Sequence, residues 1–159
     1  MSKGWGIKVN YPAEIAADEA RIALYSSPMA IAISAAVEAD PAAMAANHDG
    51  YLTGHWFLFG NVATIKARLA LAGLSIEDAA HYVRFSEGMT GDAEIDAAAR
   101  ALLSLPHDAC LAARERERVV AATIADLPVC FEAERVAIVR KAKASLARHK
   151  RNAVKYGTT

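Results

Sequence analysis

The chain has 159 residues, 18 basic and 18 acidic side chains, and 54% apolar residues. That apolar share excludes a disordered chain, and the length suffices for one domain with a core that needs no disulfides. No uninterrupted apolar run reaches the roughly 20 residues that a spanning helix requires, so no membrane contact is expected.

Ala accounts for 37 of the residues. It is the best helix former and buries little area, so the composition predicts helices that approach closely around a thin core. With abundant Arg and Asp it also suits a GC-rich bacterial or phage genome. Two cysteines, Cys110 and Cys130, are too few for a disulfide scaffold. They read as small core residues, with a bridge between them expected only for a secreted chain. The first residues, Met1-Ser2-Lys3-Gly4-Trp5, carry no signal-like apolar stretch, and a cytoplasmic protein is expected.

In chain order, Gly4–Val9 alternates Trp5, Ile7 and Val9 and predicts a short extended arm within 1–10. The five prolines then mark helix starts, where a missing N–H costs nothing and φ is already helical. Pro12 precedes Ala13–Tyr25, Ser27-Pro28 opens 28–39, and Asp40-Pro41 opens a short helix to Asn47. Pro106 precedes 108–125, and Pro128 opens a last helix running to Lys155. Between these, a helix over 53–71 stops at Gly73. Ser75 caps 76–85, with Glu77 and Asp78 in the first turn, and a helix over 92–105 follows Gly88 and Gly91. The core is expected to centre on 51–71, with Trp56, Phe57, Leu58, Phe59, Ile65 and Leu69. A buried strand over 51–60 is the alternative there.

These elements predict an all-α fold: a single compact helical bundle of seven or eight helices, with a body over 11–127 and a basic C-terminal helix over 128–159. An Ala-rich chain with a thin core also gains by burying more surface, which is compatible with a homodimer, and the sequence leaves the oligomeric state open.

Charge is the least random feature. Residues 1–134 hold 10 basic and all 18 acidic side chains, whereas 135–159 hold 8 basic ones and no acid. After Arg135 the cations are Arg140, Lys141, Lys143, Arg148, Lys150, Arg151 and Lys155, spaced along a helix whose apolar seam is Val136, Val139 and Leu146. Such density suits neutralisation of a polyanion, either nucleic-acid backbone or an acidic protein surface. Only His149 and Tyr156 offer rings for stacking, so sequence-specific readout is not expected. Macrodipole stabilisation at the helix C-terminus explains part of the same pattern.

Catalytic patterns are sparse. The chain has no glycine-rich phosphate loop and no Gly-x-Ser-x-Gly turn. Leu71–Ala80 has the rhythm of the first helix of a helix-turn-helix. The second helix would open on Asp92, Glu94 and Asp96, which repel phosphates. Asp78-x-x-His81 fits a di-metal bundle only loosely, and His107, Cys110 and Cys130 lack zinc-site spacing. Arg114–Arg118 alternates charge and reads as a solvated face. The order His81, His107-Asp108, Asp126 resembles that of the HD-type phosphohydrolases, an all-helical family. That resemblance implies a divalent metal activating water.

The favoured expectation is a non-catalytic interaction or accessory protein, of a kind common in phage and mobile elements, without cofactor or metal, contacting its partner through Arg140–Lys155. The alternatives are the metal-dependent phosphohydrolase and an assembly subunit that uses the Gly4–Val9 arm.

Overall fold

The computed structural model describes residues 8–41, 43, 62–83 and 90–157. Among them are seven helices and no strand, so the protein is all-α. The helices are α1 (Tyr11–Tyr25), α2 (Pro28–Glu38), α3 (Val62–Leu71), α4 (Ile76–Val83), α5 (Ala93–Leu103), α6 (His107–Ala125) and α7 (Glu132–Tyr156). The arm over Gly4–Val9, the short helix to Asn47 and the run 51–60 fall largely or wholly outside the described residues.

Contacts divide the chain into two units, one of Met1–Ser27 with Ala133–Thr159 and one of Pro28–Glu132. In the second unit α4 is central, packing chiefly against α5 and α6. Its Ala79, Ala80 and Val83 are buried at the spacing of one helix face, and Ile76 packs beside them. The small Ala79 and Ala80 let neighbouring helices come close. Ile33 and Val37 of α2, Ile65 and Leu69 of α3, Ile95 and Ala99 of α5, and Val120 and Ile124 of α6 complete this core. Ile65 and Leu69 thus lie inside as the sequence predicts.

Local chemistry sets the helix ends. Asn10 Oδ1 accepts from the Ala13 amide at 3.1 Å, which places the start of α1 before Pro12. Ser75 and Asp78 form a reciprocal cap: Ser75 Oγ accepts from the Asp78 amide and Asp78 Oδ2 from the Ser75 amide, both at 3.1 Å. Asp92 Oδ1 accepts from the Glu94 and Ile95 amides at the start of α5. Asp96, buried behind it, accepts from the Thr90 amide and hydroxyl and the Gly91 amide.

One start departs from expectation. Pro128 does not open the last helix. It is fully buried at the centre of a three-residue turn, in which the Val129 amide donates to the Leu127 carbonyl at 2.8 Å. The helix begins four residues later, at Glu132. There Ser34 donates to Glu132 Oε2 at 2.7 Å, and the Glu132 amide donates to Glu38 Oε1 at 3.2 Å.

The stop after α3 rests on Gly73, at φ +68°. The Gly73 amide donates to Ala70 and the Leu74 amide to Leu69, satisfying the last carbonyls of the helix. A Cβ at Gly73 would meet nothing within 4 Å, so Gly73→Ala tests backbone conformation alone. It should lower unfolding free energy by about 1–2 kcal/mol, and Gly73→Asn by less, as read from urea midpoints.

Candidate functional site

α7 is 25 residues long, and its surface divides cleanly by exposure. Ala142 and Ala153 are buried, and Ile138, Ser145, Leu146, His149 and Asn152 are half-buried. These positions recur at three- and four-residue steps and define one packed face. α1 carries the matching pattern. Tyr11, Ile15, Asp18, Ile22 and Tyr25 fall on one stripe, with Asp18 buried and the others half-buried.

Asp18 and His149 meet on these two faces. His149 Nδ1 lies 2.7 Å from Asp18 Oδ2, and the Ser145 hydroxyl lies 3.5 Å from the same nitrogen. The Tyr11 ring stands 6.4 Å from the imidazole, tilted by 55°. Arg135 Nη1 donates to the Tyr25 carbonyl at 2.8 Å. It caps the end of α1, whose last turn has no basic residue of its own. A polar pair in an otherwise apolar seam fixes register at some cost in stability. His149 is therefore part of the fold, which leaves Tyr156 as the exposed ring on this helix.

Burial raises the Asp18 carboxyl. Hydrogen bonds from His149 and Ser145, with the charges of His149 and Arg21, outweigh that and hold it below the usual carboxylate range. The contribution of Asp18 is thus present above its unfolded value near pH 3.8 and is lost as pH falls through the lower folded value. Urea midpoints of the wild type should fall below about pH 4 more steeply than those of Asp18→Asn. Equal slopes would remove Asp18 from the acid response.

The cations occupy the rest of α7. Arg140, Lys141, Lys143, Arg148, Lys150, Arg151 and Lys155 are all exposed. Among the described residues Lys150 alone of these lies in an ion pair, 3.4 Å from Glu19. Lys155 Nζ sits 5.2 Å from the Tyr156 ring centroid. Arg135, Val136, Val139, Arg140 and Lys143 line an open depression of 340 Å³. Val136 does not belong to the packed seam, since it is 49% exposed. The unit that holds α7 carries 11 cations and 4 acids, and Pro28–Glu132 carries 7 and 14.

The other candidate sets are not brought together. His107 and Asp108 open α6 and Asp126 ends it, about 27 Å apart at 1.5 Å per residue, so they cannot share one metal ion. No cluster of three metal-ligating side chains occurs among the described residues. Asp78 instead receives Arg116, whose Nε and Nη2 donate to its Oδ1 at 2.9 and 2.5 Å. Arg116, still half exposed on the solvated face of α6, thus reaches across to α4, whereas Arg118 pairs locally with Glu115. The sulfurs of Cys110 and Cys130 are directed at the carbonyls of Leu105 and Pro128. At the start of α5, Glu94 pairs with Lys66 at 2.6 Å, Asp96 is buried and Asp92 caps the helix, so all three acids are engaged within the fold. No single helix among the described residues is long and apolar enough to cross a membrane.

Comparison with protein-family models, curated proteins and solved structures finds no match to this chain.

Proposed function

We propose that the protein is a non-catalytic macromolecular interaction protein that holds a polyanionic partner along the exposed face of α7. The observation that carries this reading is the set Arg140, Lys141, Lys143, Arg148, Arg151 and Lys155, all exposed and outside any ion pair among the described residues. Macrodipole stabilisation accounts for one or two cations in the last turn, not for a series that begins more than four turns from the end. Side chains held apart by a helix and left without acidic neighbours keep their full attraction for phosphate or carboxylate. Binding of this kind weakens steeply with salt through counterion release.

Fluorescence anisotropy tests it. Labelled duplex DNA, single-stranded DNA and an acidic polypeptide are titrated with the full chain at low and physiological salt, with heparin as competitor. Binding to at least one, with a steep salt slope, supports the reading. No binding to any of them at low salt overturns it.

A further inference from the structure

The arrangement of cations on α7 is more specific than their number. At seven-residue spacing Lys141, Arg148 and Lys155 fall on one line along the helix, and Lys143 and Lys150 fall on another. With 3.6 residues per turn the two lines lie on opposite flanks of the exposed face, roughly 150° apart. Between them runs a central strip, Arg140, Ala144, Ala147, Arg151 and Val154, at steps of four and three residues, all exposed. From Arg140 to Lys155 the strip extends about 22 Å. Small side chains in its middle let the backbone approach a surface closely, while the two flanks reach sideways.

We infer that α7 lies in the major groove of B-form duplex DNA, with Lys141, Arg148 and Lys155 on one phosphate strand and Lys143 and Lys150 on the other. The inference rests on the polyanion-binding role proposed above. A B-form major groove is about 12 Å wide and admits one α-helix, with phosphates along both rims. Two cationic flanks around a slim centre match that cross-section. In the centre, Ala144, Ala147 and Val154 offer methyl groups to the groove floor, and Arg140 and Arg151 can reach base edges or phosphates.

The other polyanions fit less well. A single strand binds through stacking on aromatic rings, and this face offers none: His149 is held by Asp18, and Tyr156, seven residues further on, falls on the line of His149 rather than between the cationic flanks. A-form RNA has a deep, narrow major groove that excludes a helix. An acidic protein partner would meet an interface centre with no aromatic ring, the residue type in which protein interface cores are enriched. Among the described residues the exposed Lys150–Glu19 ion pair is the one intramolecular competitor, and an exposed pair of this type is weak.

The test compares a random-sequence DNA duplex, an RNA duplex and a DNA single strand of equal length, with heparin as a fourth polyanion, all titrated with the full chain. The DNA duplex should bind at least tenfold more tightly than the RNA duplex or the single strand. Bound protein should protect guanine N7, in the major groove, from dimethyl sulfate and leave adenine N3, in the minor groove, reactive. The triple variant K141Q/R148Q/K155Q should reduce the slope of log K against log salt by about 2.7, and K143Q/K150Q by about 1.8. Circular dichroism confirms that each variant keeps its helix content. Equal affinity for the duplexes, preference for the single strand, or protection at adenine N3 alone would overturn the groove assignment while leaving polyanion binding intact. Failure to bind all four polyanions would overturn the underlying role as well.

Discussion

Replacing Lys141, Lys143, Arg148, Lys150 and Arg151 together by Gln should abolish partner binding and leave the fold intact. Each phosphate neutralised contributes about 0.9 to the slope of log K against log salt, so losing five contacts should weaken binding by on the order of 10³- to 10⁴-fold near 0.1 M salt. The fold should survive because all five side chains are exposed and Gln is nearly as good a helix former as Lys or Arg. The one ion pair removed among the described residues, Lys150 to Glu19, joins two side chains that are each 56% exposed, a type of pair worth at most about 1 kcal/mol. The variant should therefore melt within a few degrees of the wild type by circular dichroism while its anisotropy titration stays flat. Wild-type affinity in the variant would sink the assignment of the partner to α7. A collapse of the melting transition would instead show that these residues hold the unit together, contrary to their exposure.

How much of this was legible in the sequence depends on the range of the interactions. Short-range signals served well: Ser75 three residues before Asp78, Gly73 after an apolar helix end, and Asp92 before Glu94 and Ile95 each fixed a helix boundary through contacts at most five residues long. The density of cations after Arg135 needed only a count. Pro128 misled because a locked φ suits a tight turn as well as a first helical turn. The choice between them was made by distant partners, Ser34 and Glu38, which secure the helix start at Glu132. In the sequence His149 offers only a ring for stacking, because its partner lies 131 residues away. Asp18 did carry a signal, an acid on the otherwise apolar stripe Tyr11, Ile15, Ile22, Tyr25, but only the structure shows which group answers it. Arg116 and Asp78, 38 residues apart, follow the same pattern.

The largest effect on stability should come from another long-range pair, Asp40 and Arg68. Arg68 is 2% exposed and Asp40 6%, and the guanidinium Nη2 donates directly to Asp40 Oδ2. The pair lies at a cavity of about 210 Å³ whose other walls include Ala36, Ala39, Thr64, Ala67 and Leu71. Burial pulls the Arg68 pKa down and the Asp40 charge opposes that, yet a guanidinium stays protonated at any working pH. Asp40→Ala removes the carboxylate from a buried guanidinium, and breaking a buried pair from one side costs about 3–5 kcal/mol. Against a total stability of about 5–15 kcal/mol, this is enough to leave the unit holding α2 and α3 partly unfolded at 37 °C. Removing both charges should be far milder, because the desolvation of each ion disappears along with their attraction. Asp40→Ala combined with Arg68→Met should unfold within about 1 kcal/mol of the wild type, or above it. Urea midpoints of the wild type, Asp40→Ala and the double variant decide the matter, and the gap between wild type and Asp40→Ala should persist in high salt because buried charges are poorly screened. A loss below about 1 kcal/mol for Asp40→Ala would mean that solvent reaches Arg68 and that the pair is not buried in solution.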